Sequence, residues 1–311
     1  MIDETKPKKK ILIAEDDPVS LHLLKNFLNK WDYDVTVATD GMQALRILES
    51  DDTPRLVVLD WMMPGMEGVQ VCQRIRERTD RPYIYILLLT VRTQKKDLLK
   101  GLNFGADDYL TKPFDAQELR ARLNVGERIL KLEDDLRFRA THDTLTGISS
   151  RGVALEAMNR EHARQVREKS SFGIILADLD HFKNINDTYG HICGDDVLKE
   201  AAQRISRCVR SYDTVGRYGG EEFLTVVVSA DESISLALAD RMRQAIESRP
   251  FVTGSGELHI TASFGTAAST CSGLIDPKAL LQLADEALYR AKLKGRNRSE
   301  GTETLEAVRL S

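Results

Sequence analysis

The sequence predicts two α/β units in tandem: a doubly wound, five-stranded parallel sheet, a long helix, and then an α+β sandwich. Three observations carry this. Five short apolar runs alternate with amphipathic segments from residue 9 onward. Acids, a hydroxyl and a lysine stand at the carboxyl ends of those runs. Beyond residue 141 two aromatic- and valine-bearing runs flank a Gly-Gly turn, the pattern of an antiparallel hairpin rather than a crossover. At 311 residues the chain is long enough for two domains, each burying its own core.

Composition narrows the function. The net charge is -4 and the pI near 5.9, with acids and bases mixed throughout, so the electrostatic footprint of a nucleic-acid binder is missing. Residues 1–8 read as a flexible arm, and Lys8, Lys9 and Lys10 as a solubilising lead into the first strand. Cys72, Cys193, Cys208 and Cys271 lie far apart, which argues against a disulfide framework and a zinc cage; Cys193 reads as packing alone. No apolar run has membrane-spanning length and the first residues lack a signal-peptide core, so a cytoplasmic protein with no membrane partner is expected.

The five runs are residues 10–15, 34–38, 56–60, 83–89 and 108–110, and runs buried on both faces belong to a parallel sheet. Working residues of such sheets gather beyond the carboxyl ends of the strands. Those ends carry Glu15 and Asp16, then Asp60, then Thr90, then Lys112 before Pro113. A hard cation held by Asp16 and Asp60 would leave one Asp60 oxygen to attack a phosphoryl group, with Lys112 and Thr90 receiving the product. Helix capping explains one such acid, as at Asp17 before Pro18, but not the whole set.

On these residues the stretch from 9 to about 128 resembles the receiver domain of two-component response regulators, a flavodoxin-like fold. The resemblance implies that Asp60 is the phosphoacceptor and that Glu15, Asp16, Asp60 and the Met62 carbonyl hold magnesium, for which manganese can substitute. It also implies a cognate histidine kinase, and a switch in which Thr90 moves inward and Tyr109 follows, with Lys112 on the phosphoryl group. The face of the fourth helix, fifth strand and fifth helix would then rearrange and dimerise.

A helix starting near Asp115 meets no proline before Thr141, about 26 residues and about 39 Å. Leu119 and Leu123 would pack on the sheet. Val125, Ile129, Leu132 and Leu136 repeat at four-three-four spacing, the seam of a short coiled coil, although Gly126 weakens its start. Residues 115–140 are therefore expected to be a dimerising stalk; a helix lying on the next domain is the alternative.

After a polar turn at residues 142–147, an amphipathic helix runs to about Lys169 and the strand 172–179 ends in Asp178-Leu179-Asp180, with both acids on one face. A helix at 197–208, a hairpin, a helix at 234–248, a strand at 259–266 and a helix at 277–293 complete the α+β pattern. The hairpin tip is Arg217-Tyr218-Gly219-Gly220-Glu221-Glu222-Phe223. Two glycines let a backbone approach a polyanion, and adjacent carboxylates repel unless a cation sits between them. Taken alone, such a string is a solvated hairpin tip; beside an Asp-bearing strand it is what two-metal nucleotidyl transfer requires.

Residues 138–300 resemble the GGDEF-domain diguanylate cyclases, whose domain is similar to the nucleotidyl cyclase and polymerase palm. The motifs are GGEEF itself, the lead-in at 143–151, DLDHFKNINDTYGHICG at 178–194 and AKLKGRNR at 291–298. Departures are Glu221 for the commoner aspartate and Ser150 where asparagine is usual. The resemblance implies that Asp178, Glu221 and the Leu179 carbonyl hold magnesium on GTP, with Glu222 as a second acid. It places the amides of His181 and Phe182, with Lys183, Lys292 and Arg296, on the β- and γ-phosphates, and Asn186 and Asp195 on guanine. For Asp195 an exposed helix N-cap is the alternative.

The activity implied is condensation of two GTP into cyclic di-GMP with release of two pyrophosphates. Each domain binds one GTP, so a homodimer through receiver and stalk is part of the expected chemistry. Arg210-Ser211-Tyr212-Asp213 has the spacing of the family's RxxD inhibitory site, which makes cyclic di-GMP inhibitor as well as product; a surface salt bridge is the plain alternative. A silent domain that binds GTP or cyclic di-GMP and signals by contact is the rival, with no need of Asp178, Glu221, Lys292 and Arg296 together. A DNA-binding regulator is expected less than either, because no helix-turn-helix or basic recognition helix follows residue 128. The expected boundaries are thus 1–8 arm, 9–128 receiver, 115–140 stalk, 141–300 cyclase and 301–311 tail.

Overall fold

Lys9–Ala14 (β1), Tyr33–Ala38 (β2), Leu56–Asp60 (β3), Tyr85–Thr90 (β4) and Asp108–Thr111 (β5) form one sheet in the order β2-β1-β3-β4-β5, every neighbouring pair parallel. The computed structural model describes residues 8–78, 81–91, 101–270 and 273–302. Two units divide the chain, Met1–Leu136 and Arg137–Ser311. In the first, β3 and β4 are buried along their whole length, because alternate residues feed two cores. Leu12, Val57, Leu59, Ile86 and Leu88 enter one core, and Ile11, Ile13, Val58, Leu87 and Leu89 the other.

Helices Pro18–Lys30 (α1), Gly41–Leu48 (α2), Gly68–Arg76 (α3) and Ala116–Thr141 (α4) accompany this sheet. Asp17 caps α1 by accepting the Ser20 N–H at 2.8 Å, with Pro18 in the first turn. Lys8, Lys9 and Lys10 pair with Asp32, Glu127 and Asp52. Strand β4 starts two residues later than the apolar run suggested, since Tyr83 turns outward beneath the Arg76 guanidinium, 4.6 Å from its ring centroid. The fourth helix of the expected switch face would begin on residues 92–100, outside the described residues.

Leu119, Leu123 and Gly126 of α4 are buried. A Cβ at Gly126 would lie 2.5 Å from the Tyr85 ring, so this glycine, intrinsically poor in a helix by about 1 kcal/mol, sets how closely α4 approaches the sheet. Ile129 packs on the same core, whereas Val125, Leu132 and Leu136 are exposed. The expected seam is thus split: one member faces its own domain. Arg55 extends the attachment by pairing with Glu133 and Asp134.

The second unit contains Arg151–Glu168 (α5), Phe172–Leu179 (β6), Phe182–Tyr189 (α6), His191–Ser206 (α7), Thr214–Arg217 (β7), Glu222–Val228 (β8), Glu232–Glu247 (α8), Phe251–Thr253 (β9), Gly256–Leu258 (β10), Ala262–Ser269 (β11), Pro277–Leu293 (α9) and Ser299–Glu300 (β12). Its sheet runs β12-β11-β6-β8-β7, with β6 antiparallel to both neighbours. One face packs on α7 and α8 through Ile175, Ala177 and Phe223, the other on α5 and α9 through Ile174, Leu176 and Leu224. The helix expected at 197–208 begins earlier, at His191. The strand expected at 259–266 is Ala262–Ser269, and helix α6 and the small hairpin β9–β10 were not anticipated. Among the described residues no helix is long and apolar enough to cross a membrane.

Candidate functional sites

At the carboxyl edge of the first sheet, Glu15 follows β1 fully buried, Asp16 is exposed, and Asp60 closes β3 at 7% exposure. Carboxylate oxygens of the three lie within 4.8 Å of one another. Lys112, just past β5, reaches Glu15 at 2.7 Å and Asp60 at 3.0 Å. Burial pushes the Glu15 carboxyl up to about 7, with Asp60 adding to the rise and Lys112 opposing it. Burial would lower Lys112, but its hydrogen bonds to both acids outweigh that and raise it. Three acids against one ammonium is a donor set that suits a hard divalent cation. Thr90 is buried at the end of β4, Tyr109 is half-buried against the core, and Met62 is exposed beside Asp60.

In the second unit, register alone places Asp178 of β6 directly opposite Glu222 of β8. Like charges facing each other across a ladder are destabilising. Burial raises the Asp178 carboxyl, helped by Glu221 and Asp180, while Lys292 of α9 holds it at 2.8 Å and lowers it. Burial also raises Glu222, followed by the charges of Asp178, Asp285 and Glu221. The loop between β7 and β8 brings Glu221 alongside, with the Leu179 N–H donating to its carbonyl at 3.4 Å. A Cβ at Gly219 would lie 2.8 Å from Glu222 Oε2, so this glycine lets the carboxylate close on the hairpin tip, while a Cβ at Gly220 would meet nothing within 4 Å. These carboxylates facing a single lysine also fit a divalent cation and a polyphosphate.

Helix α6 starts two residues beyond Asp180, with His181 as its N-cap in a left-handed conformation and Lys183 exposed in its first turn. N–H groups at such an end favour anions. Asn186 of α6 packs against Gly194 of α7, where a Cβ would stand 2.0 Å from its Oδ1. Asp195 is half-buried within α7; the N-cap is Gly190, which removes the capping explanation for Asp195. Arg296 follows α9, exposed and at φ +63°.

The chain matches two families: residues 140–298 the one described as "Diguanylate cyclase, GGDEF domain", and residues 11–124 the one described as "Response regulator receiver domain". The chain belongs to the GGDEF family and carries a receiver domain. Response regulator PleD of Caulobacter vibrioides is 32% identical over 251 residues, covering 78% of this chain and 55% of that protein. Diguanylate cyclase A of Treponema denticola is 40% identical over 131 residues, covering 42% of this chain and 35% of that protein. The chain thus spans about half or less of these relatives' lengths. A crystal structure of the coiled coil and GGDEF domain of DgcB from Caulobacter crescentus in complex with c-di-GMP aligns with a TM-score of 0.54 at 28% identity, covering 60% of this chain and all of that one.

Within the GGDEF domain a shallow pocket of about 230 Å³ is lined by Arg210, Asp213, Ile234, Leu238 and Arg241 among others. The Asp213 carboxylate accepts the N–H groups of Arg210 and Val228, each at 3.0 Å, while the Arg210 guanidinium donates to Tyr212 Oη at 2.8 Å. No ion pair joins Arg210 and Asp213 among the described residues, so they are not a surface salt bridge. Sequence reasoning missed Arg241: it lies on α8, with no local pattern to tie it to Arg210. It also gave no role to Arg217, which joins Asp143 to Gly220.

Proposed function

We propose that the chain is a phosphorylation-regulated diguanylate cyclase that condenses two GTP into cyclic di-GMP and two pyrophosphates. The observation that carries this reading is the meeting of Asp178, Glu221 and Glu222, with Lys292 paired to Asp178, at the end of a sheet whose next helix begins in an anion-favouring turn. Asp178, Glu221 and the Leu179 carbonyl would hold magnesium, or manganese in its place. When bound, the metal supplies Lewis-acid polarisation and neutralises developing phosphate charge.

The chain's own residues bind and orient. The α6 amides, Lys183, Lys292 and Arg296 take the β- and γ-phosphates. Asn186 and Asp195 take the guanine edge, where a carboxylate accepts the N1 and N2 protons that adenine lacks. Each 3′-oxygen attacks the α-phosphorus of the other nucleotide, the bond from that phosphorus to pyrophosphate breaks, and the hydroxyl proton leaves to Glu221 or Glu222. Two domains must face each other for this, so the active species is a homodimer.

Phosphorylation of Asp60 by a histidine kinase, with Glu15, Asp16 and Met62 around its metal, would be read by Thr90, Tyr109 and Lys112. Cyclic di-GMP would inhibit at Arg210 and Asp213, with Arg241 on the pocket's other wall. The test is incubation of the purified chain with GTP and magnesium, with and without beryllofluoride, and chromatography of the products. A cyclic dinucleotide that increases with beryllofluoride is expected; bound but unchanged GTP would mean a silent signalling domain instead.

A further inference from the structure

Helix α9 ends in a Schellman cap: Arg296 N–H reaches the Ala291 carbonyl at 3.0 Å and Gly295 N–H the Lys292 carbonyl at 3.4 Å, with Gly295 at φ +108°. That cap needs one left-handed residue. The chain supplies three in a row, since Arg296 follows at φ +63° and Asn297 at +46°. Left-handed backbone is unfavourable for arginine in particular, so something outside the helix must hold the second and third residues there.

What holds them is Asn297, which has three partners on two other elements. Its backbone N–H donates to Asp180 Oδ2 at 3.1 Å, its Oδ1 accepts from Arg243 Nη1 at 3.2 Å, and its Nδ2 donates to Glu247 Oε1 at 2.8 Å. Arg243 is itself fixed by Asp240 and Glu247, at 2.8 and 2.7 Å. Asp180, only 5% exposed, also accepts the hydroxyls of Thr261 and Ser263, both at 2.7 Å. Buried acids are retained where their hydrogen bonds are satisfied, and here those bonds tie the end of β6, the start of β11 and the loop after α9 together.

We propose that Asn297, pinned by Asp180, Arg243 and Glu247, is a positioning residue that aims Arg296 at the triphosphate. The proposal rests on the cyclase reading, in which Arg296 meets the β- and γ-phosphates. Arg296 lies between a helix cap and a clamped asparagine, so its backbone direction is set from both sides before substrate arrives. Preorganisation of this kind removes ordering costs from binding. Asp180 stands two residues after Asp178, so one strand end places both the proposed metal ligand and the phosphate loop.

Binding, measured without turnover, tests this. The full chain is titrated with magnesium and either guanosine 5′-(α,β-methylene)triphosphate or GMP, for the wild type, Asn297→Ala, Asn297→Gly, Arg296→Ala and the Asn297→Ala/Arg296→Ala double variant. Asn297→Ala should weaken the triphosphate analogue about tenfold, as loss of a charge-assisted contact does, and leave GMP within about twofold. Asn297→Gly should do no better, because a permissive backbone does not replace the side chain. The double variant should be no weaker than Arg296→Ala alone, the signature of one residue acting through the other. Additive losses, or an equal loss for GMP, overturn the proposal. A wild type that binds the triphosphate analogue no tighter than GMP would instead overturn the cyclase reading on which the proposal stands.

Discussion

Arg217 donates from one guanidinium nitrogen to both oxygens of Asp143, at 3.2 and 3.3 Å, and from its other two to the Gly220 carbonyl, at 3.0 and 2.8 Å. One residue thus ties the turn after α4 to the hairpin tip that carries Glu221. Burial would raise the Asp143 carboxyl, but hydrogen bonds from Thr146 and the Arg217 charge outweigh it and hold it below the usual carboxylate range. Arg217→Ala should cut initial rates by about tenfold to a hundredfold, since small misplacements at a reacting centre are costly. Arg217→Lys should not rescue it, because lysine lacks the fork. A group with a depressed folded pKa gives stability above its unfolded pKa and loses it as pH falls through the folded value. The melting temperature of the wild type should therefore fall more steeply in acid than that of Asp143→Asn, as thermal melts across that range would show.

Asp60→Asn should keep basal cyclase activity and lose all stimulation by beryllofluoride or acetyl phosphate. Asp60 shares the Lys112 ammonium with Glu15, and the amide cannot become an acylphosphate. Full stimulation of the variant, assayed as product formed per minute, would remove the switch assignment.

The pocket proposed for inhibition separates recognition from structure. Asp213 takes two backbone N–H groups, so Asp213→Ala should cost about 1–3 kcal/mol of stability as well as product inhibition. Arg210 and Arg241 are exposed, donating to Tyr212 Oη and the Cys208 carbonyl, so Arg210→Ala or Arg241→Ala should relieve inhibition at a smaller cost in melting temperature than Asp213→Ala. Inhibition curves with added cyclic di-GMP, paired with thermal melts, resolve the two patterns; inhibition unchanged in both arginine variants would move the site elsewhere.

Guanine selectivity should depend on Asp195 and on the contact between Gly194 and Asn186. Asp195→Ser should let ATP enter mixed products. Gly194→Ala, whose methyl would lie 2.0 Å from Asn186 Oδ1, should raise the KM for GTP more than it lowers kcat. Product analysis from equal GTP and ATP checks the first, and steady-state kinetics the second; a wild type that already makes mixed dinucleotide readily would sink the assignment.

How legible the chain was follows from what its side chains face. Strands β3 and β4 are buried throughout, so they read as unbroken apolar runs, and the acids beyond them stand out. Strand β11 is ASFGTAAS, small residues except for Phe264, and its weak strand signal moves the expected boundary by three residues. Helix α6 shows little periodicity in the sequence, because only Phe182 of its eight residues is buried. Catalytic motifs are local strings and could be quoted. Arg217 to Asp143, Arg243 to Asn297 and Arg241 with Arg210 are long-range pairs, and no spacing along the sequence encodes them.

Gly126 and Ile129 bind the early turns of α4 to the receiver core, so the residues left for a partner helix are Leu132 and Leu136, with Val125 at the margin. A seam that short cannot hold two chains by burial alone, and its use would be to fix rotational phase. Each inserted residue turns a helix by about 100°, and seven restore the seam to within about 20°. Inserting seven helix-forming residues after Leu136 should preserve beryllofluoride stimulation, while three or four should change it sharply. Leu132→Asp should weaken dimerisation, read by sedimentation, and activity together, because it sets like charges in the seam. Gly126→Leu, whose side chain collides with Tyr85, should uncouple stimulation from phosphorylation without touching the seam. If every insertion behaved alike, phase would not be the signal, and stimulation would have to come from receivers raising the local concentration of cyclase domains.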